Sequence, residues 1–306
     1  MLKNALYGGV NAAVLTAMRP DLSVDLDRMA AHCRWLLANG CNGLAILGTT
    51  GEANSLGVSE RVDLMEGLVA RGLQATTLMP GVGTPALTDT VLLAKKAAAL
   101  GCPGVLVLPP FFYKNPTEDG LFAYFSEVIQ RMGDGTKLYL YHFPAQSAVP
   151  FTIPFINRLL KAYPRTVAGI KDSSGDFANS KGYIDHFAKD GFEVYAGDDS
   201  TLYDLLNAGG AGCITAASNV GCAVNAKVLA NWDNDTGRQA QVTLTAIRKA
   251  VISVPMIPGL KALVARRTGE EGWNAIRPPH LTLTAEQKAI SFANFDACGA
   301  PMAQAA

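Results

Sequence analysis

Three short stretches of this chain carry groups suited to carbonyl chemistry, each at the end of an apolar run. The first is Lys171, which closes Val167-Ala168-Gly169-Ile170 and is followed at once by Asp172-Ser173-Ser174. A brief apolar run with β-branched Val and Ile, bounded by turn formers, reads as a strand. Lys171 then stands at the carboxyl end of a buried strand, where an unpaired ammonium is costly and loss of its proton is favoured. A neutral lysine amine is the nucleophile that forms Schiff bases with carbonyl substrates. The same lysine also fits a surface position just past a strand, and this stretch alone leaves both readings open. The second stretch is Gly48-Thr49-Thr50-Gly51-Glu52. Two hydroxyls and exposed backbone N–H groups between glycines suit a small carboxylate, and they equally suit an ordinary polar turn. The third is Tyr141, at the end of Tyr139-Leu140-Tyr141. Strand alternation puts the two tyrosines on one side. A phenol beside a Schiff-base lysine shuttles protons, whereas a core tyrosine merely needs its hydroxyl satisfied.

These groups meet only if the chain brings strand ends together. Eight apolar runs, at 9–16, 43–48, 76–82, 104–110, 138–141, 167–171, 193–197 and 212–217, are each closed by Gly, Pro or small polar residues. Near-continuous apolar runs fit strands buried on both faces, as in a parallel sheet. Helical patterns lie between them, at 26–39, 59–71, 88–100, 116–132, 154–163, 177–189 and 200–208. The alternation predicts an α/β fold, a (β/α)₈ TIM barrel. The rival, an open doubly wound sheet, usually shows a glycine-rich phosphate turn after its first strand, and none is visible here. From about Val220 the strand pattern stops. Helices are expected at 224–231, 239–252, 260–267 and 284–296, with a break at Pro255-Met256-Ile257-Pro258-Gly259. The expected organisation is a barrel over 1–220 and a C-terminal helical extension over 221–306, packed on it as one structural unit, with a frayed Ala-rich tail.

Composition narrows the function. The chain has 306 residues, 49% hydrophobic and 17% charged, with a formal net charge of +0. That balance supports a large core and argues against nucleic acid or an acidic membrane as partner. Neither an N-terminal signal pattern nor a bilayer-length apolar run is seen, so a cytoplasmic protein is expected. The six cysteines are scattered without a Cys-x-x-Cys pair, and the four histidines are also dispersed. Disulfides and a metal site are therefore not expected.

Gly48-Thr49-Thr50-Gly51-Glu52, Tyr141-x-x-Pro144, Gly169-Ile170-Lys171-Asp172 and Gly197-Asp198-Asp199, in that order, resemble the dihydrodipicolinate synthase/N-acetylneuraminate lyase superfamily. The resemblance runs from Gly8 to Arg277-Pro278-Pro279. It implies a class I, lysine-dependent pyruvate aldolase without metal or organic cofactor. Lys171 would form the Schiff base, Tyr141 would be the general acid/base, and Thr49 and Thr50 would bind the substrate carboxylate and link Tyr141 into a proton relay. Gly197 and Ile214 would line the pocket through backbone groups. The resemblance also implies a homotetramer, a dimer of dimers, in which a neighbouring subunit's tyrosine often completes the relay. Phe112 aligns with that tyrosine here, and Tyr113, one residue later, is the candidate replacement. In true dihydrodipicolinate synthases an arginine after the tyrosine motif grips a carboxylate of the second substrate. Gln146 stands there in this chain, offering hydrogen bonds without charge. With Ser147 it suits a hydroxylated or neutral partner, such as a sugar-acid tail. The expected activity is a lyase acting on a 2-keto-3-deoxy sugar acid or related 2-oxo acid. A dehydratase of such acids, 4-hydroxy-tetrahydrodipicolinate synthase and a non-catalytic 2-oxo acid sensor are the alternatives. His142 replaces the family's usual asparagine; it fits a proton-transfer group or a packed ring, and is read as packed because no charged partner is evident beside it in sequence.

Overall fold

The computed structural model describes residues 5–133 and 135–300. The Ala-rich tail at 301–306 and the first four residues lie outside them. Strands β1 (Gly9–Ala13), β2 (Gly43–Ala45), β3 (Gly104–Val107), β4 (Lys137–His142), β5 (Val167–Asp172), β6 (Glu193–Ala196) and β7 (Gly212–Thr215) pair in parallel, in the order β2-β1-β7-β6-β5-β4-β3. Their residues are almost all buried, as expected of a sheet covered on both faces.

The third apolar run departs from expectation. It begins as a 3₁₀ turn, Ala75–Thr77, and continues as an extended segment over 78–82 that is not a regular strand. Pro80 has no N–H to give, so the ladder is interrupted there. The segment nevertheless bridges the two edges. Met79 and Gly81 donate to Leu44 and Ile46 of the β2 side at 2.9 and 2.8 Å, and Val82 donates to Leu106 of β3 at 2.9 Å. Leu106 in turn donates to the Pro80 carbonyl at 2.9 Å. The ring closes as a TIM barrel, with 78–82 as its remaining stave.

The helices α1 (Leu26–Ala38), α2 (Val58–Ala70), α3 (Leu87–Ala99), α4 (Glu118–Met132), α5 (Pro144–Ser147), α6 (Ile153–Ala162), α7 (Phe177–Phe187), α8 (Leu202–Ala208) and α9 (Ser218–Ala230) follow the strands around the ring. Side-chain caps start several of them: Asp25 accepts from Arg28 N, Thr117 from Gly120 N, and Asp176 from Ala178 N. Then α10 (Asp235–Val251), α11 (Met256–Thr268) and α12 (Ala285–Asp296) complete the chain, α10 against α9 and α11 against both. Helix α9 runs through residue 220 and starts earlier than its apolar pattern suggests. Helix α11 starts at Met256, so the Pro-rich break expected at 255–259 is its first turn. Pro258 is tolerated there because first-turn N–H groups have no intrahelical acceptor. No helix of the described residues is long and apolar enough to cross a membrane.

The amino-terminal half of the barrel interior is filled by aromatics. Tyr139 and Tyr195 both donate to Glu193 Oε2, and Leu6 N donates to Oε1 at 2.8 Å, so this buried carboxylate is satisfied. Two glycines make room for the Tyr139 ring. A Cβ on Gly169 would sit 2.3 Å from the Glu193 carbonyl oxygen and 2.9 Å from Tyr139 Cδ1; one on Gly104 would sit 2.7 Å from Tyr139 Cε2. Gly169→Ala is therefore expected to lower unfolding free energy by about 1–3 kcal/mol in urea titrations, the usual cost of overpacking.

Outside the barrel wall, His32 of α1 is fully enclosed. Its Nε2 donates to Asn219 Oδ1 at 3.0 Å and its Nδ1 accepts from Arg267 Nη2 at 3.1 Å. Burial pulls its pKa down from 6.5 to about 3. The unfolded chain thus binds a proton that the native state refuses between these values, so stability falls as pH drops from 6.5 toward about 3. Replacing His32 with Gln should flatten that part of the stability–pH curve, measured by denaturant midpoints across the window.

Candidate active site

Parallel pairing sets Tyr141 of β4 beside Lys171 of β5, and His142 beside Asp172. Strand alternation then sorts them. Lys171 and Tyr141 face inward: Lys171 Nζ lies 4.2 Å from the centroid of the Tyr141 ring, and both residues are buried. Asp172 faces α7, where it accepts from Ser174 N at 2.9 Å, Asn179 Nδ2 at 3.0 Å and Ser180 Oγ at 2.6 Å. His142 packs against the Phe151 and Tyr183 rings and accepts from Phe151 N at Nδ1, 3.1 Å away. Burial pulls the His142 pKa down, and Asp172 opposes that shift. The ring is packed, but a charged neighbour does adjoin it. Sequence distance hid Asp172, which only strand pairing brings alongside.

The segment 48–52 is held by geometry that its glycines permit. Thr16 Oγ1 donates to the Gly51 carbonyl at 2.7 Å, and a Cβ on Gly51 would sit 2.9 Å from the Val14 carbonyl oxygen. Glu52 takes a left-handed backbone (φ 56°), uncommon for a residue with a side chain. Its carboxylate holds it there. Glu52 forms an ion pair with Lys261 of α11 in which both side chains are fully buried, and it accepts from Arg277 N at 3.1 Å. Lys261 also donates to the Ala275 carbonyl at 2.7 Å. Burial lowers the Lys261 pKa while Glu52 opposes the shift. So anchored, the loop brings Thr49 Oγ1 to 3.4 Å from Tyr141 Oη.

These groups open into a cavity of about 570 Å³. Lys171, Tyr141, Thr49, Thr50, Gly197 and Gln146 all line it. Gly197 is required by close approach: a Cβ there would lie 2.0 Å from Ser173 Oγ and 2.6 Å from the Asp172 carbonyl oxygen. Two expected residues are elsewhere. Ile214 is fully buried in the barrel interior with Tyr141 and Tyr195. Ala216, two residues on and therefore on the same side of the chain, takes the rim position instead. Tyr113 lies on an exposed loop, 76% accessible, its ring edge-on to an equally outlying Phe112. Within one chain it does not reach the cavity lining.

Sequence reasoning missed the contribution of the extension. Arg248 of α10 and Met256, Ile257 and Pro258 of α11 line the cavity, as do Asp198 and His280. The adjacent pair Asp198 and Asp199 has divided roles. Asp198 faces the cavity and Arg248, while Asp199 lies beneath, accepting from Thr215 Oγ1 at 2.6 Å and Asn225 Nδ2 at 2.9 Å. Burial pushes the Asp199 pKa up.

A model of the dihydrodipicolinate synthetase family matches residues 6–294. The chain belongs to this family. Among its relatives, a DapA-like lyase of Chloroflexus aurantiacus is 34% identical over 94% of this chain and 96% of that protein. A 4-hydroxy-tetrahydrodipicolinate synthase of Listeria monocytogenes is 30% identical over 92% of this chain and 94% of that one. Of solved structures, YagE, a prophage protein of E. coli K12 in complex with pyruvate, superposes with a TM-score of 0.91 at 25% identity, covering 97% of this chain and 100% of that one. Dihydrodipicolinate synthase from Agrobacterium tumefaciens superposes at 0.84 with 29% identity, over 95% and 99% of the two chains. Family membership makes this chain a lyase of the class I aldolase type.

In this family member the Glu52–Lys261 pair is fully buried, so loss of either partner strands the other. Lys261→Met leaves a buried carboxylate unpaired and should cost about 3–5 kcal/mol of stability. Adding Glu52→Gln should recover a large part of that loss. A double-mutant cycle by chemical denaturation measures both.

Proposed function

We propose that Lys171 Nζ forms an imine with the 2-oxo carbon of pyruvate or a longer 2-oxo acid, and that the adjacent carbon–carbon bond is then broken or made. One observation carries this reading. A buried lysine at a strand end holds its Nζ 4.2 Å from the ring centroid of Tyr141, whose hydroxyl is 3.4 Å from Thr49 Oγ1, on the wall of an open cavity.

The cycle follows from the positions of these groups. Nζ adds to the 2-oxo carbon and one of its protons passes to the carbonyl oxygen; Tyr141 then gives its proton to the resulting hydroxyl, and water leaves an iminium and a Tyr141 phenolate. Thr49 and Thr50 hold the substrate carboxylate, their hydroxyls donating to its oxygens. The phenolate of Tyr141 then takes the proton of the C4 hydroxyl as the C3–C4 bond breaks. The electron pair of that bond moves to the iminium and yields an enamine. An aldehyde departs, Tyr141 returns its proton to C3, and water hydrolyses the imine to free pyruvate and the lysine amine. The imine is the only electron sink in the cycle, so neither metal nor organic cofactor enters it.

The substrate we propose is a 2-keto-3-deoxy sugar acid or a close relative. Relatives named 4-hydroxy-tetrahydrodipicolinate synthase support that activity as the second reading. Against it stands Gln146, a neutral amide on α5 where a guanidinium would grip a second carboxylate. A dehydratase would use the same imine and lose water with the carbon skeleton intact. For the assembly we propose a homotetramer, a dimer of dimers, in which the exposed Phe112 and Tyr113 rings meet a neighbouring subunit.

Borohydride reduction in the presence of pyruvate should leave a reduced adduct on Lys171, located by mass spectrometry of peptides. Its absence would sink the imine reading. Tyr141→Phe should still form that adduct while kcat falls about a hundredfold to ten-thousandfold, the range for loss of a general acid/base. Free pyruvate released from 2-keto-3-deoxy acids identifies the aldolase; loss of water without pyruvate identifies the dehydratase.

A further inference from the structure

We infer that Arg248 reads the far end of the substrate, and that the tail it reads carries hydroxyl groups and no second carboxylate. This rests on the imine reading above and extends it to the rest of the same cavity. A cavity of about 570 Å³ exceeds what a three-carbon acid on Lys171 fills. Beyond the imine residues its wall sets the polar groups of Asn54, Gln146, Ser174, Asp198 and Arg248, which suit hydroxyls, among apolar side chains such as Met256 and Ile257.

Arg248 is held firmly while keeping donors to spare. Its Nε donates to Asp198 Oδ2 at 2.9 Å, and its Nη1 meets only the Met256 sulfur, a weak acceptor, at 3.4 Å. Among the described residues no protein oxygen accepts a hydrogen bond from its Nη2. Asp198 is itself fixed, because its Oδ1 accepts from Ser200 N at 2.9 Å and Ser200 Oγ at 2.6 Å. The two side chains are about one-quarter exposed, 22% and 25%. The fork is thus oriented before substrate arrives, which favours directional recognition.

Charge decides what it recognises. Arg248 is balanced by Asp198, and Glu52 by Lys261. With histidine counted neutral, the cation left over among the cavity-lining residues is Lys171, and its iminium answers the carboxylate already next to the 2-oxo carbon. A second carboxylate on Arg248 would face the carboxylate of Asp198 across the same guanidinium, a like-charge approach that disfavours it. A hydroxyl suffers no such penalty. It accepts from an Arg248 Nη and donates to the lone pair left on Asp198 Oδ2.

The test compares three 2-oxo acids: a six-carbon 2-keto-3-deoxy acid with hydroxyls on its tail, its analogue lacking the terminal hydroxyls, and the corresponding diacid. Wild type should prefer the hydroxylated acid over both others in kcat/KM. Arg248→Gln should lower the preference for hydroxylated over truncated acid by about tenfold to a hundredfold, chiefly through KM. Arg248→Lys, which keeps charge without the fork, should fall between. Borohydride adduct formation with pyruvate on Lys171 reports that each variant is folded. An Arg248→Gln enzyme that loses both acids equally, or a wild type that prefers the diacid, would overturn the inference. If wild type gives no adduct with any 2-oxo acid, the imine reading itself fails. Calorimetric binding of the same three acids then reads Arg248 separately: a preference for the hydroxylated acid that Arg248→Gln abolishes upholds it, and equal binding refutes it.

Discussion

A carboxylate buried without contact with water needs hydrogen-bond donors or a counter-charge, and in this protein one that is ion-paired joins the two parts of the chain. Glu52 sits at the end of the loop that carries Thr49 and Thr50, in a backbone conformation that side chains rarely adopt. Lys261, from a helix more than two hundred residues later in the sequence, neutralises it in full burial. The energy of such a pair lies less in its net stability than in the penalty for breaking it. The extension is thereby committed to one docking position, since any other would strand both charges. That position turns the first residues of α11 toward the cavity and sets Arg248 of α10 against Asp198.

The barrel interior divides the work along its axis. Its amino-terminal half is a packed plug of Tyr7, Tyr139 and Tyr195 around the satisfied Glu193 carboxylate, with Gly104 and Gly169 giving up side chains to make room. Its carboxyl-terminal half keeps Tyr141 and Lys171 one strand step further on, at the edge of that plug. The plug gives them a rigid base, and the cavity gives them access. Lys171 thus has both burial that orients its side chain and an opening onto the cavity.

Much of this was legible in the chain itself. The eight apolar runs and the helices between them marked the barrel, because burial on both faces leaves an unmistakable pattern. The third run was misjudged only in regularity, for Pro80 cannot donate to a ladder even where the chain is extended. Lys171, Tyr141, Thr49, Thr50 and Gly197 were legible as neighbours because a barrel places strand ends at one rim, so position in the pattern implies position in space; Gln146, which only the family resemblance singled out, lines the same cavity. The Ile214 side chain belongs to the packed interior, and Ala216, just past the end of β7, lines the cavity. Tyr113 stayed outside because an exposed loop carries no pattern that fixes where its rings point.

The sequence by itself determined the architecture and which strand-end residues meet at the cavity, since both follow from short-range periodicity and residue type at strand ends. The tertiary structure alone decided which charges neutralise each other. Neither the Glu52–Lys261 pair nor the Asp198–Arg248 pair has a local signature, for the partners come from elements far apart in sequence. Ion pairs across a fold depend on docking geometry at the scale of a few ångströms, which no periodicity encodes. The same holds for His142, whose neighbour Asp172 is one pairing step across the sheet and thirty residues along the chain.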